Sequence, residues 1–183
     1  ISIMPGELSR AFEYGIAFDA SSIAGFGDEK NCDLLLHPEP DTLSLLPWRP
    51  EHGKVVRMFA NIPYPDGRPF ECDTRSLLKR AVADAAKRGY HFDFGAEQEF
   101  YLFHLDENGK PTKTPYDEAS YMDIAPDDRG ENIRREICLT LEQMGILPES
   151  SHHEAGPGQN EVDFRYSDAV TAADNTITFQ NIA

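Results

Sequence analysis

Phe94-Gly95-Ala96-Glu97-Gln98-Glu99-Phe100-Tyr101-Leu102-Phe103 reads as one β-strand with two chemically different faces. Side chains alternate along a strand, so Glu97 and Glu99 share a face, roughly 7 Å apart, while Phe94, Phe100 and Leu102 share the other with Gln98 as the polar exception. Two carboxylates held side by side repel unless a cation, a shared proton or solvent relieves the charge. Hard divalent cations prefer oxygen-rich settings of this kind.

A second acidic pair lies in His152-His153-Glu154-Ala155-Gly156-Pro157-Gly158-Gln159-Asn160-Glu161-Val162-Asp163-Phe164-Arg165-Tyr166. Gly156-Pro157-Gly158 marks a tight turn. The residues after it alternate, with Val162, Phe164 and Tyr166 on one face and Glu161, Asp163 and Arg165 on the other. The turn therefore brings Glu154 near Glu161. A plain alternative is two solvated strand faces whose carboxylates are neutralised by Arg165 or water. His152 and His153 are metal ligands or hydrogen-bonding residues on this reading, since a neutral imidazole serves either role. Asp163 and Arg165 either orient ligands or pair with each other.

Outward from these strands, Leu77, Leu78, Ala81, Val82, Ala85 and Ala86 form a helical apolar stripe capped by Asp73 or Thr74 and stopped by Gly89. A second helix is expected over about 129–144, with Ile133, Ile137, Leu141 and Met144 on one face and Gly145 as its stop. Ser167 is expected to cap a last helix bearing Val170, Ala173 and Ile177. Asp106-Glu107-Asn108-Gly109 has the composition of a hairpin turn, and 111–128 reads as irregular. Residues 1–70 carry short extended runs, such as Asp33–Leu36 and Lys54–Ala60, punctuated by Pro and Gly. The chain thus divides near residue 70, into 1–70 and 71–183. Hairpin-forming strands mixed with helices indicate α+β with an antiparallel sheet.

The chain has 183 residues, 40% of them hydrophobic, enough for one large domain or two small ones. Seventeen basic and 32 acidic residues give a formal charge of −15, which argues against a nucleic-acid or anionic-membrane surface. Cys32, Cys72 and Cys138 lack metal-ligand spacing and fit buried thiols in a reducing cytosol. No apolar run of about 18 residues suggests a membrane span.

Four stretches together resemble the type I glutamine synthetase family. Phe94–Phe103 resembles its G-x-E-x-E-F-x-L-F strand, and His152–Tyr166 is similar to its H-H-E-x-x-x-G-Q-x-E segment. Phe18-Asp19-Ala20-Ser21-Ser22-Ile23 resembles F-D-G-S-S-I, and Asp168-Ala169-Val170-Thr171-Ala172-Ala173-Asp174-Asn175 resembles D-A-x-T-A-A-D-N. They fall in the family's order, from about Pro5 to Ala183.

The resemblance implies a β-grasp-like domain over 1–70 and the first part of the catalytic domain over 71–183. It also implies ATP-dependent joining of ammonium to the γ-carboxylate of L-glutamate through an acyl phosphate, with two Mg²⁺ or Mn²⁺ ions. Glu99, Glu154 and Glu161 would hold one cation and Glu97 the other. Glu149 matches a nucleotide-contacting Glu, and Asp19 matches the Asp that binds ammonium and takes its proton. A cytoplasmic homo-oligomer, typically a dodecamer, is implied as well. The chain opens without Met and stops within an expected helix, so an internal fragment, inactive alone, is expected. Ala20 replaces the family's Gly, which puts the pose of Asp19 in question. Asp28 stands where a feedback-regulated subgroup carries Arg. A γ-glutamyl ligase for polyamines or other amines, and a non-catalytic cation-binding or assembly module, are the rival readings.

Overall fold

The computed structural model describes residues 1–27, 32–49 and 53–183, so Asp28 lies outside the described residues. The chain forms two compact units that divide between His91 and Phe92.

In the first unit, α1 (Leu8–Tyr14) turns into β1 (Ile16–Asp19) through Gly15, whose φ is +73°. A Cβ at Gly15 would lie 2.8 Å from the His37 ring, so close approach and backbone angle both call for glycine. β1 pairs antiparallel with β2 (Asp33–Pro38), which pairs in turn with β5 (Ala60–Asn61). β3 (Ser44–Leu45) and β4 (Val56–Arg57) form a separate ladder. Ala20, Leu34 and Phe70 make the core, with the Phe70 ring 5.1 Å from Phe26 and 5.5 Å from Tyr64.

α2 (Thr74–Lys87) is capped by Asp73, whose carboxylate accepts from Arg75 N at 3.2 Å. The other carboxylate oxygen accepts from Ile62 N at 3.0 Å and Ser76 Oγ at 2.5 Å, so the cap also fastens the helix to the first unit. Glu39 adds a second fastening through Arg75, Lys79 and Asn61. By compactness this helix goes with the residues before it. Its apolar stripe is uncovered: Leu77 is 54% exposed and no residue of α2 is buried. Periodicity identifies an apolar face without identifying what covers it.

The second unit is built on the sheet order β6 (Asp93–Tyr101), β10 (Gln159–Asp168), β9 (Pro148–His153), antiparallel throughout. α3 (Glu131–Gln143) and α4 (Ala169–Ile182) pack on its apolar face, where Ile137, Leu141, Val162, Phe164 and Phe179 form the core. β7 (Phe103–Leu105) and β8 (Pro111–Pro115) form a hairpin across the Asp106–Gly109 turn, with Asp106 Oδ1 accepting from Asn108 N and Lys110 N at 2.8 Å. The fold class is α+β.

Four local expectations are corrected. None of the three cysteines is fully buried: Cys72 is exposed, and Cys32 and Cys138 are half-buried. Residues 111–115 are a strand. Asp168, not Ser167, caps α4, accepting from Val170 N and Thr171 N at 3.1 Å; its carboxylate reaches two free amides. Tyr166 is 60% exposed and leaves the Val162–Phe164 face, because a bulge between Phe164 and Ser167 inserts one residue and reverses the alternation.

Candidate metal centre

The central strand β10 aligns two rows of polar side chains across the sheet. Glu161 stands opposite Glu99 of β6 and His152 of β9; Asp163 stands opposite Glu97 and Ser150. Period-two alternation puts all six on one face, while Val162 and Phe164 fill the core on the other.

The turn after β9 supplies Glu154. Glu154 N donates to Gln159 O at 2.8 Å and Gln159 N to Gly156 O at 2.9 Å, closing the loop tightly. Gly158 has φ +70°, and a Cβ there would sit 2.7 Å from Leu102 O, so only glycine serves. Folded back this way, one ligand atom from each of His152, Glu154 and Glu161 lies within 4.8 Å of the others. His152 Nδ1 is 3.6 Å from Glu154 Oε1, and its Nε2 is 3.8 Å from Glu161 Oε2. The Tyr121 ring meets His152 edge-on at 5.5 Å.

Burial, then contact with the Glu154 and Asp163 carboxyls and their charge, pushes Glu161 up to about 7. Asp163 accepts from Ser150 Oγ through one oxygen, and its Oδ1 is buried with no hydrogen-bond partner. The cluster therefore crowds carboxyl groups, and a shared proton or a cation is the relief that crowding calls for. The carboxylate oxygens suit a hard divalent cation such as Mn²⁺ or Mg²⁺, and the one imidazole beside them is a borderline donor better matched to a transition-metal ion.

The expected ligand set differs from this arrangement in one respect. Glu99 is in register beside Glu161, but its Oε2 accepts from Gln159 Nε2 at 2.6 Å, and it borders the tight group that His152 completes. Glu97 lies one row away, opposite Asp163. Glu149 is exposed at the register shift of β9 and outside the cluster. Asp163 bonds Ser150 instead of pairing with Arg165. His153 is fully buried, with Nε2 2.8 Å from Asp117 Oδ1 and Nδ1 2.6 Å from Glu154 O, a hydrogen-bonding role. Burial raises the Asp117 carboxyl, but bonds from Arg129 N, His153 and Gly158 N outweigh it and hold Asp117 below the usual range. His152 was legible as a candidate from its alternation with Glu154. Asp117, within the stretch expected to be irregular, gave no signal.

Asp19 belongs to the first unit. It is exposed at the end of β1, and its Oδ1 accepts from Ser21 N at 2.8 Å; hydrogen bonding from the Ser21 side chain, and then from this amide, holds its carboxyl below the usual range. Ala20 follows in a 3-10 turn with negative φ, its side chain fully buried beside Leu34 and Phe70. Ala fits this backbone without strain.

Residues 71–183 match the family described as glutamine synthetase, catalytic domain, and residues 1–65 the one described as glutamine synthetase, beta-Grasp domain. The glutamine synthetase of Clostridium saccharobutylicum is 48% identical over 180 residues, covering 98% of this chain and 41% of that protein. The glutamine synthetase of Methanosarcina mazei is 46% identical over 176 residues, 96% of this chain and 39% of that protein. Among solved structures, a GmaS/ADP complex aligns with a TM-score of 0.82 and 29% identity over 97% of this chain and 40% of that one. Plasmodium falciparum glutamine synthetase shares the fold, with a TM-score of 0.79 at 22% identity over 99% of this chain and 40% of that one. The chain thus spans about 40% of the length of the curated relatives it matches. On these matches, which cover both units, the chain belongs to the glutamine synthetase family.

Proposed function

We propose that this chain carries part of the active site of an ATP-dependent ligase that joins ammonium to the γ-carboxylate of L-glutamate. The observation that carries the reading is the convergence of Glu154, Glu161 and His152 beside Glu99 on one sheet face. Glu99, Glu154 and Glu161, with His152 alongside, hold one Mg²⁺ or Mn²⁺, and Glu97 contributes to a second. When bound, such cations stabilise the negative charge that develops on phosphoryl and carbonyl oxygens. Glu149 contacts the nucleotide, and Asp19 attracts ammonium and accepts its proton. The exposed Asp19 carboxylate, its pKa lowered by hydrogen bonds from the Ser21 side chain and amide, suits that role.

The parent protein is read as a cytoplasmic homo-oligomer. Among the described residues no helix is long and apolar enough to cross a membrane.

The test is phosphate release from ATP by the full-length protein with glutamate and Mn²⁺, with ammonium in one arm, where the product is glutamine, and putrescine in the other, where it is γ-glutamylputrescine. Ammonium-dependent turnover, reduced about 10²-fold or more in Glu161→Gln, supports the reading. Turnover with putrescine alone favours the amine-ligase rival. Saturable Mn²⁺ binding without turnover in either arm favours a cation-binding module.

A further inference from the structure

We propose that Asp117 and His153 are a positioning pair that sets Glu154 at the cation site, an assignment that rests on reading Glu154 and Glu161 as ligands. Asp117 is 6% exposed and His153 fully buried, and neither belongs to the ligand cluster. Asp117 Oδ1 lies 2.8 Å from His153 Nε2 and receives Gly158 N at 3.1 Å, while its Oδ2 receives Arg129 N at 2.9 Å. At the far side of the ring, His153 Nδ1 lies 2.6 Å from the Glu154 carbonyl. A carbonyl oxygen only accepts, so Nδ1 carries a proton and donates. Through one carboxylate, both ends of the turn are held: Glu154 at its start and Gly158 at its close.

A second set of bonds holds the same turn from the buried side. Asn160 Nδ2 donates to Gly158 O at 3.0 Å, and Asn160 Oδ1 receives Arg134 Nη1 at 2.5 Å. Arg134 is locked to Asp128 by bonds of 3.1 and 2.5 Å. Gly130 has no room for a side chain here: its Cβ would fall 2.4 Å from Asn160 Oδ1. The irregular segment between β8 and α3 thus supplies two buried carboxylates: Asp117 bonds the turn directly, and Asp128 acts on it through Arg134 and Asn160. Side chains that orient ligands from behind set a metal site's affinity without touching the ion.

The experiment is Mn²⁺ titration of the full-length protein followed by electron paramagnetic resonance, with melting temperature measured in parallel. Asp117→Asn removes the charge and turns an amide toward Arg129 N. It is expected to weaken Mn²⁺ binding about tenfold or more and to alter the spectrum of the bound ion. Leu141→Ala, on the opposite face of the sheet, serves as the stability control: its melting temperature falls while Mn²⁺ affinity stays at the wild-type value. His153→Gln, which cannot span both Asp117 and Glu154 O, is expected to behave like Asp117→Asn and decides the question if that variant does not fold. Wild-type affinity, within about twofold, in either folded variant overturns the positioning role. Unchanged affinity in Glu154→Gln instead removes the reading of the site on which the pair depends.

Discussion

Glu161 stands 7% exposed between Glu154 and Asp163, with its carboxyl pushed up to about 7 from an ordinary value of 4.5. The cation-free folded protein therefore keeps a proton that the unfolded chain releases. The stability linked to that proton is fully present below about pH 4.5 and is lost as pH rises through about 7. On the proposed reading, a cation would replace the proton above that range. Without Mn²⁺, the melting temperature is expected to fall between pH 5 and 7.5, and Glu161→Gln is expected to flatten that slope. Added Mn²⁺ should raise the wild-type melting temperature more at pH 7.5 than at pH 5, since binding must displace the proton at the lower pH. A Glu161→Gln profile that parallels the wild type would sink this electrostatic account. The sequence made Glu161 legible as an acidic residue on a mixed strand. Its neighbours Glu154 and Asp163 were legible from the turn and the alternation, but its burial was not, because that depends on how β6 and β9 flank β10.

The helices were legible from their stripes and glycine stops, but the caps show where pattern reading runs out. Ser167 and Asp168 are both good capping types, and only the bulge decides which one faces the free amides of α4. The same bulge exposes Tyr166, and no residue in Phe164–Ser167 announces it. The two observed caps make a paired prediction. Asp168→Ala should cost about 1 kcal/mol, the ordinary value for an N-cap. Asp73→Ala should cost more, about 2–3 kcal/mol, because the 4% exposed Asp73 also satisfies Ile62 N and Ser76. Urea denaturation of both variants checks the order, and equal losses would deny Asp73 its second role. Glu39 works on the same helix by charge. Burial raises its carboxyl, but bonds from Lys79, Asn61 and Arg75 outweigh this and bring it to about 2. Its contribution is present above pH 4.5 and is lost as pH falls toward 2. Wild-type protein should therefore lose more stability than Glu39→Gln between pH 5 and 2.5, as read by circular dichroism.

At the scale of the molecule, alternation named acidic faces on two strands, but only antiparallel pairing in one register turns them into a site. A one-residue slip of β10 would send Glu161 and Asp163 to the helix-packed face. The apolar residues that prevent the slip, Val162 and Phe164, are the ones that made the strand recognisable. The cluster of His152, Glu154 and Glu161 lies wholly within the unit Phe92–Ala183, and its bonds come from that unit. The row of Glu97 offers only Asp163 and Ser150 as register neighbours, and Ser150 is already donating to Asp163. The 183-residue chain by itself should therefore bind one Mn²⁺ in calorimetry, weakly and saturably, with binding lost in Glu161→Gln. Because it spans about 40% of its curated relatives' length, it should form no glutamine under the same conditions. Two equivalent cations would mean that Glu97 and Asp163 make a complete second site. No binding at all would mean that the carboxylates close on an ion only with help from residues outside this chain.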